Sequence, residues 1–347
     1  MGEFLTNTHT TGAVIQADEH MQNYADAGWQ KFISGTSINK RSMIAHSSTV
    51  LSTVDDQGDV YISSDGGETW TTPAKNTTMN NDVLLRKCKA DSTIAFGVEV
   101  DTATAQDSVI TIDSGTTWTD CTADPAFTTI IYDVAFSTTA LIVIGGDDNV
   151  GAKHIVFGAV AAGQVASWTD MTSGPSDKVY ALDMFDATTG FAVDSGSKIW
   201  KTVNGAVDWT DTGHTVSIIA ASTMHCISAT EFLISSTAAV FYYDGATVTN
   251  MFNLGGSSTI PLGMIELTNG NIVTGFGSST ADRAVTIIAM TTNDGDSWFV
   301  KTFAPSSAFT GGLYSAKGRL SEVGSNNFLV GLDLTTFIKV FGGTDNT

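Results

Sequence analysis

Short apolar runs alternate with polar turns along almost the whole chain, and the runs have strand length rather than helix length. Residues 82–120 read DVLLRKCKA, STIAFGVEV, DSVITID and TTWTD, with Asp, Ser, Gly and Thr between them. Residues 178–212 repeat the arrangement as KVYALDMFD, TGFAVDS, SKIWKTV and DWTDT. Val, Ile, Thr, Phe and Tyr dominate the runs, and such side chains fit a pleated, half-buried surface. The turn residues supply the backbone angles and local hydrogen bonds that reverse a chain. No stretch sustains a helical period; the nearest, IQADEHMQNYADAG at residues 15–28, is short and polar. The pattern predicts an all-β chain built from four-strand units, strands A to D.

One turn recurs between strands C and D. SSDGGETW (Ser63 to Trp70) and TIDSGTTW (Thr111 to Trp118) fit one template, and TVNGAVDW and TTNDGDSW fit it in part. In the partial copies Asn204 and Asn293 replace Asp, Ala206 replaces Gly where Gly295 keeps it, and the closing residues are Trp209 and Trp298. Trp29, Trp70, Trp118, Trp168 and Trp209 are spaced by 41, 48, 50 and 41 residues. The step to Trp298 is 89 residues, which leaves room for a degenerate unit around VFYYDGATVTNMF, with Phe252 near the missing tryptophan. A period of roughly 40–50 residues is that of propeller blades. The Asp is expected to accept backbone N–H bonds, the Gly to supply a positive φ, and the Trp to bury its ring between neighbouring sheets.

These turns resemble the Asp-box (BNR) repeat of sialidases, sortilin-type receptor domains, some xyloglucanases and photosystem assembly factors. The match is full at Ser63, Asp65, Gly67, Thr69, Trp70 and at Thr111, Asp113, Gly115, Thr117, Trp118. It is partial at Asn204, Trp209, Asn293, Gly295 and Trp298. The resemblance implies a β-propeller whose boxes are structural and lie opposite the functional face. Trp29 stands alone at one end like a strand D, while GRLSEVG, NNFLVGLD and TTFIKVFGG at the other end supply A, B and C without a D. The expectation is therefore a seven-bladed propeller over residues 25–347, closed by an N-terminal outer strand, with residues 1–24 as an extension. Closure hides a sheet edge that would otherwise be open to pairing.

Composition narrows the partners. The chain has 347 residues, 42% of them hydrophobic and only 15% charged, so a sizeable core is available. A net charge of -20 disfavours nucleic acid, which needs a basic footprint. Cys88, Cys121 and Cys226 are odd in number and lack CxxC spacing, so neither a disulfide framework nor a zinc site is expected. The start MGEFLTNTHT does not read as a signal peptide, and no apolar run is long enough to span a membrane.

Candidate chemistry is sparse. Arg41, Arg86 and Arg319 fall near the starts of strand A in blades one, two and seven, and are the candidate ligand-binding residues for an acidic group. Acidic residues gather in the B-to-C loops: Asp55, Asp56, Asp59, Asp101, Asp107, Asp147 and Asp148. Both connections belong to the face that the resemblance marks as functional. The Arg-Ile-Pro signature of sialidases is absent, and no Tyr–Glu nucleophile pair can be placed. The histidines show neither HxH nor HExxH spacing. No catalytic residue, metal or cofactor is assigned. The leading expectation is a non-enzymatic binding or structural propeller. Its Thr-, Ser-, Gly- and Ala-rich composition is similar to that of phage or viral virion surface proteins, which bind a host glycan or a neighbouring virion protein. The alternatives are an Asp-box glycoside hydrolase using carboxylates such as Asp55, Asp59, Asp147 or Asp148, and an assembly-factor scaffold for a protein partner.

Overall fold

The computed structural model describes residues 29–33 and 40–340, apart from 56–57, 72–73, 77–78, 80–81, 101–105, 126, 128, 139, 148–153, 238, 255–258, 279–285, 292–297, 304–319, 323–327 and 332–335. The apolar runs form strands and the polar turns connect them in sheets, seven among the described residues, antiparallel except for one pair at the edge of blade 2. Blade 1 is Lys40–Ala45, Leu51–Asp55 and Val60–Ser63, extended by a bridge from Ile62 to Thr71. Blade 2 is Val83–Lys87, Ala95–Glu99, Ser108–Thr111 and Thr117–Asp120, with the short strand Ala74–Asn76 added in parallel beyond Thr117–Asp120. Blade 3 starts with Ile130–Phe136, Leu141–Asp147 and Ile155–Ala161, and ends in the short strands Gln164–Val165 and Thr169–Asp170. Blade 4 is Val179–Met184, Gly190–Asp194, Lys198–Thr202 and Thr210–Thr215; blade 5 is Thr223–Cys226, Phe232–Ser236, Ala239–Tyr243 and Val248–Asn253. Blade 6 is Thr259–Glu266, Ile272–Ser278, Thr286–Thr291 and Phe299–Phe303.

Blade 7 draws on both ends of the chain. Leu320–Glu322, Phe328–Gly331 and Thr336–Val340 are joined by Trp29–Ile33, which pairs Trp29 with Val340 and Ile33 with Thr336. The first strand of each blade touches the first strand of the next, and that of blade 7 touches blade 1, so the inner strands close a ring. The expected four-stranded propeller closed by an N-terminal strand is therefore observed. The extension and the polar stretch at 15–28 lie outside the described residues.

Burial follows from this layout. Leu51–Asp55 and Ala95–Glu99 are buried at every position, because both faces of a blade pack on neighbouring blades. The outer strand Thr117–Asp120 buries only Trp118. Trp118 sits among Ile44, Val54 and Val60 of blade 1 and Val83 and Val109 of blade 2. Trp209 fills the same place between blades 3 and 4, and Trp298 between blades 5 and 6. Between blades 4 and 5 the site is taken by Phe191, Phe232 and Tyr243. Phe252 does not stand in for a tryptophan there; it packs on Trp298, with ring centroids 5.2 Å apart.

The recurring turn is a closed hydrogen-bond circuit. Ser63 Oγ donates to Asp65 Oδ1 at 2.7 Å and accepts from Gly67 N at 2.8 Å. Asp65 accepts from Thr69 N and from Thr69 Oγ1, and Trp70 Nε1 donates to Gly67 O at 3.1 Å. Thr111, Asp113, Gly115 and Thr117 repeat the Ser–Asp–Gly–Thr part of the circuit. The carboxylate thus bonds four residues ahead rather than the two or three expected for a simple Asx turn. In the third copy Asn204 Oδ1 still accepts from Asp208 N and from Thr202 Oγ1, but the side-chain bond reverses: Asn204 Nδ2 donates to Asp208 Oδ2 at 2.9 Å, and Ala206 holds φ at 71°. Gly115 has a second reason to be glycine, since a Cβ there would fall 2.9 Å from His46 Nε2 of blade 1 and still closer to Ser52 Oγ. Asn293 and Gly295 lie outside the described residues.

Candidate functional site

The inner strands carry polar side chains at positions that stitch each blade to another. Ser42 Oγ accepts from Leu85 N at 3.0 Å, and Ser321 Oγ from Ala45 N at 2.8 Å. Asp133 Oδ2 accepts from Leu182 N at 3.3 Å, and Asp183 Oδ2 from Cys226 N at 2.9 Å. A strand buried on both faces has no water to satisfy such groups, so each carboxylate must find donors in the protein.

A cavity of about 600 Å³ occupies the half of the channel toward the A-to-B connections. Its charged lining comes from six blades: Arg86, Lys87 and Lys89 from blade 2, Asp133 from blade 3, Asp183 from blade 4, His225 from blade 5, Glu266 from blade 6 and Glu322 from blade 7. Arg86 Nη2 lies 2.9 Å from Asp133 Oδ1, and its Nε donates to Val134 O. Lys89 Nζ reaches blade 4, 2.7 Å from Asp183 Oδ1 and 2.6 Å from Met184 O. His225 stands between two acids, with Nε2 3.2 Å from Glu266 Oε2 and Nδ1 3.8 Å from Asp183 Oδ2. Glu322 Oε1 accepts from Thr268 N at 2.6 Å.

The pKa shifts follow from these contacts. The His225 ring beside it holds the Glu266 carboxyl below the usual range, against the opposing effect of burial. Burial holds the Lys87 amine below its ordinary value, opposed by the charge of Glu322. Burial pushes the Cys226 thiol well up, and Sγ donates to Asp183 O at 3.2 Å, so that thiol is a packed group rather than a nucleophile.

The structure divides the sequence candidates. Arg86 lines the cavity, but from the later half of its strand and already bound to Asp133. Arg41 is the second residue of the neighbouring inner strand, one position before Ser42. Arg319 lies just before the described strand of blade 7 and outside the described residues. The acids at the ends of the B strands have structural work. Asp55 accepts from Asp59 N and from the Tyr61 hydroxyl, raising that phenol to about 12 through burial first and then the charge of Asp55. Glu99 takes Asp107 N, Asp194 takes Lys198 N and Trp200 Nε1, and Asp147 pairs with Lys178 at 2.8 Å. Asp148 lies outside the described residues.

The sequence reading missed Lys87, Asp133, Asp183, Glu266 and Glu322 as one cluster. The available signal was an ionisable residue inside an apolar inner strand, as in IIYDVAF and VYALDM. His46, just past the inner strand of blade 1, is held by Ser92 O and Ser52 Oγ against the turn of blade 2.

No family model matches the sequence, and no curated protein matches it. Similar solved structures exist. YCF48 bound to D1 peptide aligns with a TM-score of 0.64 at 14% identity, over 92% of this chain and 97% of that one. YCF48 from Cyanidioschyzon merolae aligns with a TM-score of 0.58 at 14% identity, over 92% and 100%. The WD40 β-propeller domain of Doa1 aligns with a TM-score of 0.60 at 14% identity, over 90% and 96%. At such identities the likeness concerns architecture, and with the closed ring of sheets it makes this chain a β-propeller.

Proposed function

We propose that this chain is a non-enzymatic Asp-box propeller that binds a partner at its channel, as a component of a larger surface assembly. The observation that carries the reading is the state of the carboxylates. In the cavity, Asp133, Asp183, Glu266 and Glu322 are each engaged by a cation or donor of the protein itself. Glycoside hydrolysis needs two carboxyls whose environments push their pKa values apart across a sugar-sized gap. Acids already committed to ion pairs and strand amides instead make a rigid, preformed polar surface, which suits recognition. The D1-peptide complex of YCF48 supports a protein partner on this fold. The Ser-, Thr- and Gly-rich composition supports the virion surface as the setting, with a host glycan or a neighbouring virion protein as the bound group. Arg41, on the inner strand next to that of Arg86, and Arg319, which precedes blade 7 in the sequence, would add guanidinium forks for an acidic group.

The test is a combined glycan and peptide array with sugar release followed in parallel. Saturable binding without release is expected. Binding should be lost in the Arg41→Ala, Arg86→Ala, Arg319→Ala triple variant and kept in Asp65→Asn. Steady release of sugar by the wild-type chain would overturn the reading in favour of a hydrolase.

A further inference from the structure

The lysines and arginine that line the cavity all come from one blade. Blade 2 alone supplies Arg86, Lys87 and Lys89, whereas blades 6 and 7 supply Glu266 and Glu322. In a ring of seven, blade 2 faces blades 5 and 6 across the channel, so Glu266 lies opposite the basic residues of blade 2, and Glu322 of blade 7 comes in from the side between them. Arg86 and Lys89 are spent on Asp133 and Asp183. Among the described residues Lys87 has no carboxylate at ion-pair distance, and the charge of Glu322 acts on it only from further away. An ammonium half-buried in the cavity with no carboxylate in contact is unfavourable, and a methionine or leucine would fill the same space without that penalty. On the other wall the Glu266 side chain is 52% exposed, with His225 as its only ion-pair partner among the described residues.

We propose that this cavity binds a zwitterionic ligand, its carboxylate at Lys87 and its ammonium at Glu266. An anion alone would gain Lys87 but face Glu266 and Glu322, and a cation alone would meet the reverse conflict with the basic wall. A ligand carrying both charges at the span of the channel satisfies both walls. The chemical class is an ω-amino acid, a short peptide, or a partner's chain segment with separated opposite charges. The lowered pKa of Lys87 fits an amine that recovers its charge when a carboxylate arrives.

The inference rests on the reading of the cavity as a binding site, and the two fail in different ways. Isothermal calorimetry would compare glycine, 4-aminobutyrate, 6-aminohexanoate and 8-aminooctanoate with hexanoate and hexylamine. One chain length should bind at least tenfold more tightly than either singly charged analogue. Lys87→Met should bring that ligand down to the level of hexylamine, and Glu266→Gln to the level of hexanoate. Lys87→Met removes a buried charge and keeps the apolar stem, so its melting temperature should not fall; that measurement separates loss of binding from loss of fold. Silence across the series, equal binding of the singly charged analogues, or full binding by both variants would overturn the inference. A silent series in a protein that still binds an array partner without turnover leaves the proposed function standing.

Discussion

At the scale of the residue, the recurring turn and the tryptophan after it do separate work. The turn satisfies its own backbone, and the ring fills the seam between blades. Trp118→Ala and Trp298→Ala should each cost about 3–5 kcal/mol in chemical denaturation, the range for emptying a buried aromatic site, since both rings are fully buried. Asp65→Ala should cost about 1–2 kcal/mol, as expected for a lost turn cap. Ala206 holds a left-handed conformation that glycine enters freely, so Ala206→Gly should be neutral or stabilising by up to about 1 kcal/mol. His46 gives a pH signature. Burial, more than any charge, lowers its folded-state pKa below the unfolded value of 6.5. Its contribution to stability is therefore full above that value and is lost as pH falls through the depressed one. The fall in melting temperature between about pH 7 and about pH 5 should be smaller in His46→Gln than in the wild type.

At the scale of the element, the ring depends on one borrowed strand and on hydrogen bonds between inner strands. Removing residues 1–24 should leave the melting temperature unchanged, because Trp29–Ile33 still pairs with Thr336–Val340. Removing residues 1–35 should lower it sharply and promote aggregation, because the Thr336–Val340 edge is then bare. Light scattering during a thermal ramp distinguishes the two, and equal behaviour would contradict closure. Asp133→Ala should cost about 3 kcal/mol, since it strands the Arg86 guanidinium and leaves Leu182 N without its acceptor. Elements were the most legible level of the sequence. The strands at DVLLRKCKA and KVYALDMFD appear as Val83–Lys87 and Val179–Met184, because alternation and turn residues act within a few positions. Phe252 was misplaced because spacing along the chain says which strand a ring lies on, not which seam it enters.

At the scale of the whole molecule, a net charge of -20 coexists with a basic wall inside the channel. Long-range steering follows the former, so retention on duplex DNA in a gel-shift assay at low salt is not expected. Short-range recognition follows the latter, which the net charge does not report. By itself the sequence determined the β class, the recurring turn, the blade period and the exchange of a strand between the chain ends. Each of these is written locally or as a repeat, and propensity, turn chemistry and spacing read such signals directly. Only the tertiary structure decided that Arg86 meets Asp133, 47 residues away, and that Lys89 meets Asp183, 94 residues away. It also decided that the acids ending the B strands close turns, and that Lys87 and Glu266 face one cavity. Such encounters are set by the curvature and stagger of inner strands packed around an axis, and no periodicity along the chain encodes which side chains converge there.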